Sequence, residues 1–492
     1  MKVVLIEPSP SFNLYFFIEK MPLLGPLYLG TILEKAGHAV KVFKEGYTRM
    51  YNEKTDTLHP AIADADVVGI SSITHSSKRA YSIADAVRRQ FPGKRVVMGG
   101  SHPSALPEEA LLHADCVVVG EAENVVRSVF ETDVQGIVQG EKTDMDTLPP
   151  VNLSLLQDVK RNTKNRLRDI APIMASRGCP HDCVFCSVTG MFGRKYRIRS
   201  ADLVMEEVLM RYGEGYRFSF FYDDNFAANP AKTKIFLEKL IRADLDFHWS
   251  SQFSVHAAKD KELLALLKRS QCRRLYIGIE SINPGALKDY NKSQTVEEIR
   301  SAIANIHDAG LQVHTMLILG ADSDTKESIK KTVRFARESK SDSAQFSVLY
   351  PIPGTRLYTA MKEQNRLFVE DWEYYDGSHS VIIPKNFTPL KLQKFSIRAY
   401  RSFYSRTLVH WMASRVGFFI WKLKNRDYMK HLRRVSRKIS RKAFGRMISE
   451  KYIAGLRRFG ELHWLKRIGY ALRQEGARYR LERMPEQMQE TQ

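Results

Sequence analysis

Cysteine is scarce here: five residues in a chain of 492. Two of the five stand alone, Cys116 at the start of a predicted strand and Cys272 just ahead of another in Gln271-Cys272-Arg273-Arg274, and both are expected to be buried structural thiols. An N-terminal targeting segment is also missing, because Met1-Lys2 leads straight into the short run Val3 to Ile6 and then Glu7-Pro8. That absence excludes the secretory route as the expectation and puts the chain in a reducing cytoplasm, where thiols stay available. Acidic residues run thin toward the C terminus, with 7 Asp plus Glu against 23 Lys plus Arg from residue 401 onward. The same tail lacks a membrane-spanning run: Val416 to Trp421 is too short, and Arg415 and Lys422 flank it. Otherwise the composition is that of a globular protein of two or three domains, its 43% hydrophobic residues enough for real cores.

The three remaining cysteines form the run Cys179-Pro180-His181-Asp182-Cys183-Val184-Phe185-Cys186. Three thiolates on one tight loop can hold three irons of a 4Fe-4S cluster and leave the fourth iron open to a ligand. Zinc is the other chemistry this spacing allows. It needs a fourth Cys or His, no second knuckle is evident, and His181 inside the loop is the residue that would have to serve. The C-x3-C-x2-C spacing, with aromatic Phe185 just before the last cysteine, resembles the cluster loop of the radical S-adenosylmethionine enzymes. That resemblance implies that the amino and carboxylate groups of S-adenosylmethionine chelate the open iron, and that one electron yields methionine and a 5′-deoxyadenosyl radical. A reductant such as flavodoxin or ferredoxin is implied as the electron donor.

Residues 1–140 alternate apolar strand-like runs with helical stretches. Strands are predicted at Lys2 to Ile6, Ala39 to Phe43, Val67 to Ser71, Arg95 to Met98 and Cys116 to Val119, with helices at Pro26 to Lys35 and Lys78 to Gln90. Such a rhythm predicts a Rossmann-like, doubly wound parallel sheet whose ligand lies beyond the carboxyl ends of the strands. Small residues gather there: Ser71, Ser72 and Thr74 after one strand, Gly99 and Gly100 after the next, Gly120 and Glu121 after a third. They would let a large planar ligand approach the backbone. These strings, together with Pro22-Leu23-Leu24-Gly25, resemble the cobalamin-binding domain that precedes the cluster domain in one branch of the radical enzymes. The Asp-x-His-x-x-Gly motif that gives cobalt a histidine in many cobalamin proteins is missing from the first strand-helix loop. By this reading His75 and His102 are loop residues and not cobalt ligands. A second cluster, as in the methylthiotransferases, is not expected, because Cys116 is the one cysteine in this domain.

Residues 141–170 are polar, contain Pro149-Pro150, and read as a linker. From 171 to 360, strands are predicted at Pro172 to Ser176, Phe218 to Tyr222, Phe247 to Phe253, Arg274 to Ile279, Gln312 to Leu319 and Ser343 to Leu349. Helices between them are expected near 201–213, 230–242, 259–269, 297–309 and 325–339. Six strands with helical crossovers give a partial (β/α)6 barrel, with chemistry at the C-terminal strand ends. The polar residues at those ends are Asp223, Asp224 and Asn225, then Gln252 and Ser254, then Glu280, then Gly320 and Asp322. By resemblance to the radical enzymes they are candidates for binding S-adenosylmethionine.

Residues 361–492 form a basic region in which aromatic and aliphatic residues interleave with cations, as in Leu408 to Met412 and Val416 to Lys422. That pattern predicts basic amphipathic α-helices able to lie on an anionic membrane surface, on the cytoplasmic side; nucleic acid is not the expected partner. The resemblance as a whole implies a cobalamin-dependent radical enzyme, a C-methyltransferase acting on an unactivated carbon of a lipid, isoprenoid, tetrapyrrole or natural-product substrate. A relative that uses the same radical for cyclisation, oxidation or carbon-carbon coupling is the alternative. No protein acid or base is assigned.

Overall fold

A computed structural model describes residues 1–9, 21–159, 170–405 and 425–441. The first sheet contains β1 (Lys2–Glu7), β2 (Ala39–Lys44), β3 (Val67–Ser71), β4 (Arg95–Gly99), β5 (Cys116–Val119) and β6 (Gly136–Gln139), in the order β2-β1-β3-β4-β5-β6. Every neighbouring pair is parallel. The order reverses at β1, so the crevice between the ends of β1 and β3 is the topological switch point, where such sheets bind ligands. The central strands are apolar on both faces because helices such as Leu24–Lys35 and Ser77–Gln90 cover both. The strand β6 at the sheet edge went unnoticed in the sequence, since its alternation in Gly-Ile-Val-Gln is only four residues long. The 141–170 segment is more than a linker. Met145, Leu148, Val151, Leu153 and Leu155 are buried in the same core as Val3, Leu5 and Leu27.

The second sheet runs β12-β11-β10-β9-β8-β7, from β7 (Ile170–Ile173) through β8 (Phe218–Phe221), β9 (His248–Phe253), β10 (Cys272–Glu280) and β11 (Gln312–Leu319) to β12 (Ser343–Val348). All pairs are parallel and the two edge strands do not meet, which makes a partial barrel. Alternation decides which residues reach the lumen. In β11, Val313, Thr315, Leu317 and Leu319 are buried toward the helices, whereas His314, Met316 and Ile318 are only half-buried and line the inside. The helices start where capping predicts: Thr295 with Glu298 and Thr325 with Ser328 form reciprocal capping boxes. Cys116 and Cys272 are both buried.

Two features hold the domains together. Arg177, buried just ahead of the cysteine loop, donates to Glu121 Oε2 at 2.6 Å and Glu123 Oε1 at 2.7 Å, both at the end of β5. Arg197 donates to Glu121 Oε2 at 2.9 Å and to the Thr143 carbonyl at 2.7 Å. The second feature is the segment 371–380, which touches both domains. Trp372 Nε1 donates to Glu109 at 2.9 Å, Lys78 pairs with Asp371 at 3.1 Å, and the Gly377 carbonyl accepts from Val348 N at 2.7 Å.

Beyond the barrel, the helix Pro389–Tyr404 packs on β12, and the helix Arg426–Arg441 buries Tyr428, Met429, Leu432 and Val435. Its Arg426, Lys430 and Arg433 stay exposed, so the basic amphipathic pattern is real in this helix. Leu408 to Met412 and Val416 to Lys422 lie outside the described residues. Among the described residues, no helix is long and apolar enough to cross a membrane.

Candidate functional site

A cavity of about 310 Å³ opens at the carboxyl ends of the barrel strands. It is lined by Cys179, Cys183, Cys186, Asp224, Asn225, Gln252, Ser254 and Glu280, residues that sequence alone drew from four separate segments. Small-molecule sites span roughly 300–1,000 Å³, so this cavity is of the size that takes a nucleoside-like ligand.

The cysteine loop is fixed from several sides. Gly178 enters it at φ +87°, and a Cβ there would sit 2.8 Å from the Lys195 carbonyl, so only glycine fits. Asn291 and Arg356 both donate to the Asp182 carbonyl at 2.7 Å, and Val184 N bonds the Tyr290 carbonyl at 3.1 Å. Phe185 packs edge-on against Tyr290 with ring centroids 5.4 Å apart. Burial pushes all three thiols up, Cys186 to about 12, so binding a metal must displace their protons. Among the described residues no group of three or more Cys, His, Asp or Glu converges on one ion position. Cysteines that each hold a separate iron of a cluster need not converge on one ion position.

Facing the loop, Glu280 ends β10 at φ +55°, past a register shift between Gly278 and Glu280. A non-glycine residue in this region is uncommon and carries strain, which here turns the carboxylate into the cavity. Lys292 pairs with Glu280 at 3.0 Å and donates to the Gly278 carbonyl at 3.1 Å. Burial pulls the Lys292 ammonium down, but its neighbours, the Glu280 carboxylate first among them, together outweigh this and hold the group above its ordinary value. Sequence reasoning missed Lys292. Its one signal was the polar run Asn291 to Gln294 between two helices at the barrel mouth. Asn225 bonds the Cys179 thiol, while its buried Oδ1 has no partner. An unpaired buried acceptor beside a carboxylate suits the ammonium group of an amino-acid ligand.

Three candidates fall elsewhere. Asp223 is fully buried behind the cavity, accepting from Ala175 N at 3.1 Å and from the Ser176 hydroxyl, where it ties the loop to the sheet. Gly320 stands at φ +114° against Leu392, and Asp322 is engaged by Arg366 at 2.9 Å and by Lys385 at 2.8 Å. Both lie off the cavity lining because the chain turns outward after β11 to meet the C-terminal segment.

At the end of the first sheet, Ser71, Ser72, Thr74, Gly99 and Gly100 gather as expected. Gly100 has φ +102°, and a Cβ would meet the Ser72 carbonyl at 2.4 Å. The Ser72 hydroxyl is buried without a partner. The Gly120 N–H is already engaged here, donating to Ser104 Oγ at 2.9 Å. Glu121 serves a different role from the one expected: its carboxylate is the junction with Arg177 and Arg197. Burial pushes that carboxyl up, and the bonds to Arg197 and Arg177 more than reverse this, holding it below the usual carboxylate range. His102 is buried in a short helix and bonds Glu109 at 3.2 Å. A cradle of small residues with an unpaired hydroxyl fits a broad cofactor, and three thiols on one loop, none in a disulfide, fit an iron-sulfur cluster.

The comparisons agree with this geometry. The model of the Radical SAM superfamily matches residues 173–336, and the model of the B12 binding domain matches residues 19–130. The bacteriochlorophyllide d C-12(1)-methyltransferase of Chlorobaculum tepidum is 33% identical over 73% of this chain and 79% of its own length. The anaerobic magnesium-protoporphyrin IX monomethyl ester cyclase of Cereibacter sphaeroides is 28% identical over 85% of this chain and 73% of its own. A radical S-adenosylmethionine methyltransferase from Kitasatospora setae, solved with cobalamin and a 4Fe-4S cluster, shares the fold: TM-score 0.62, 18% identity, 74% of this chain and 78% of that one. The two domains and their order, the cysteine loop and the relative at 33% identity place the chain in one family: it belongs to the cobalamin-dependent radical S-adenosylmethionine enzymes.

Proposed function

We propose that this enzyme transfers a methyl group to an unactivated carbon of a large, mostly apolar small molecule, of the tetrapyrrole, isoprenoid or other lipid class. One observation carries the reading: the buried Arg177 that opens the cysteine loop is bonded directly to the strand end of the cobalamin-type domain. The strand-end loops of the two domains are therefore held against each other. When bound, the cluster with S-adenosylmethionine supplies a 5′-deoxyadenosyl radical, and cobalamin supplies a transferable methyl group.

The chain's own residues orient these groups and keep water out. Cys179, Cys183 and Cys186 would hold the cluster. Asp224, Asn225, Gln252, Ser254 and Glu280 would hold S-adenosylmethionine, with Glu280 fixed by Lys292. Ser71, Ser72, Thr74, Gly99 and Gly100 would floor the corrinoid. Tyr276, Met316 and Ile318 give the cavity an apolar wall, where a radical finds few polar groups to quench it. The small cavity volume supports a substrate that enters from the gap between the domains. The relative that methylates a bacteriochlorophyllide supports a broad planar substrate.

The exposed cations of the helix Arg426–Arg441 support contact with an anionic membrane surface, and vesicle flotation with and without anionic lipid tests it. An electron donor of the flavodoxin or ferredoxin kind completes the reaction. The cyclase relative favours a second reading in which the radical closes a ring and no methyl moves. Product mass after anaerobic turnover decides: one added CH₂ per turnover with 5′-deoxyadenosine formed is the expected result. 5′-Deoxyadenosine with an oxidised or cyclised product of unaltered carbon count would overturn it.

A further inference from the structure

The segment 371–380 meets the first domain through Asp371 and Trp372 and the barrel through Gly377. Its last residues meet the C-terminal helices. Ser380 N donates to Tyr428 Oη at 2.7 Å and to Gln393 Oε1 at 3.0 Å, which joins the segment to the helices Arg426–Arg441 and Pro389–Tyr404. His379 stands at this joint. Its Nδ1 lies 2.9 Å from Asp376 Oδ1, and its Nε2 lies 2.8 Å from Oδ1 of Asn425, one residue ahead of the helix Arg426–Arg441. The ring is packed edge-on between Tyr374, with centroids 5.0 Å apart, and Tyr428, at 4.9 Å.

Charge balance decides which form of the ring fits. Asp376 and His379 are both buried. Asp376 Oδ1 also accepts from Ser378 N at 2.7 Å and His379 N at 3.1 Å, while Oδ2 is buried without a partner. Among the described residues, His379 is the one group bonded to this carboxylate that can carry a positive charge. A buried carboxylate without a counter-charge is strongly destabilising. A neutral imidazole has one N–H and can serve one of the two facing oxygens, whereas an imidazolium has two and serves both.

The surrounding groups favour the charged ring. Glu373 adds a second negative charge from the same segment, and Lys78 of the first domain pairs with Asp371 at 3.1 Å and with Glu373 at 4.0 Å. Burial holds the Tyr374 and Tyr428 hydroxyls neutral, and it pulls His431, further along the C-terminal helix, down to about 3. Arg426, Asp427, Lys430 and Arg433 of that helix are exposed, as are Lys391 and Lys394 beside the neutral Gln393. Burial pulls the His379 imidazole down, and Asp376, Asn425 and Glu373 more than reverse this.

We propose that His379 is a protonation-dependent catch: its imidazolium fastens the segment that bridges the two domains to the C-terminal helix, and loss of the proton loosens that helix. With the ring neutral, one of the two bonds is lost and the Asp376 charge is stranded. An unfolded histidine titrates near about 6.5. The catch is therefore closed below that value and opens as pH rises through the higher one of the docked state. The helix so held carries the exposed cations Arg426, Lys430 and Arg433, so one buried proton is tied to whatever that face binds.

The test is hydrogen exchange of the full-length protein from about pH 6 to about pH 9, corrected for the intrinsic pH dependence of exchange, with β11 as internal reference. Protection of Tyr428 to Val435 is expected to fall as pH rises, about tenfold for each unit by which docking raises the histidine pKa, while β11 keeps its own. His379→Gln and Asp376→Asn are each expected to abolish that slope. In protein with ¹⁵N-labelled histidine, the ring signals that His379→Gln removes are expected to show both nitrogens protonated at about pH 6. Wild-type protection of this helix that does not change with pH relative to β11 would overturn the proposal. So would a singly protonated His379 at the acidic end, or a His379→Gln protein that keeps the wild-type slope. The wild-type exchange profile decides the matter even if the variants fail to fold.

Discussion

The two strand-end mouths of this molecule are built by opposite means. In the barrel, chemistry comes from distinctive side chains that converge: three thiols, the Glu280 carboxylate, the Lys292 ammonium and the Asn225 amide. On the first sheet it comes from side chains that are missing. Gly99, Gly100 and Ser72 leave a floor of backbone and one unpaired hydroxyl. A site made of side chains tolerates little change in residue identity, whereas a site made of clearance tolerates little change in volume.

Cys183→Ala should produce the largest effect and tests whether the two mouths load independently. Iron content should drop from about four per chain to near zero, 5′-deoxyadenosine formation should vanish, and bound corrinoid should be unchanged. Loss of corrinoid as well would show that the sites are coupled. Gly100→Val is the mirror experiment. The positive φ and the 2.4 Å approach to Ser72 forbid a side chain, and strain of this kind costs roughly 1–3 kcal/mol or more. Corrinoid should be lost while the iron remains, measured on the same preparation.

Arg177→Ala attacks the joint itself. Removing one partner of a buried ion pair costs about 3–5 kcal/mol because the remaining charge is stranded. Glu121 retains Arg197 but Glu123 has no second cation in its bonds, so thermal unfolding should begin earlier and split into two transitions. A single, unmoved transition would remove Arg177 from this role. The smallest effect belongs to Asp223→Asn. Burial pushes the Asp223 carboxyl up to about 7, whereas an unfolded Asp titrates near about 3.9. The folded state therefore keeps a proton that the unfolded state releases, and stability should fall as pH rises between those two values. The substitution should flatten that slope in melting curves taken across the range, and an unchanged slope would assign it to another group.

The same contrast explains how much could be read from sequence. β11 and the helices Ala201–Gly213 and Pro230–Arg242 were legible to the residue, because their apolar residues recur at a regular period, and Asn229 marks the start of the second helix by accepting from Lys232 N. The cysteine loop was legible because its spacing is a chemical constraint written along the chain. Asp223, Gly320 and Asp322 were harder, since position at a strand end does not reveal which way the loop turns next. Glu121 could not be recognised as a domain junction, because Arg177 and Arg197 are its neighbours only in space. Lys292 and Asp376 fall outside strand ends altogether, in connecting segments that carry no periodic signal.

The 371–380 segment adds a temporal order. Both parallel sheets are complete once the chain has been synthesised through Val348, yet Trp372 and Gly377, which bond Glu109 of the first domain and Val348 of the second, come off the ribosome later. The bonds that bridge the two domains through this segment therefore cannot form until both sheets have been synthesised.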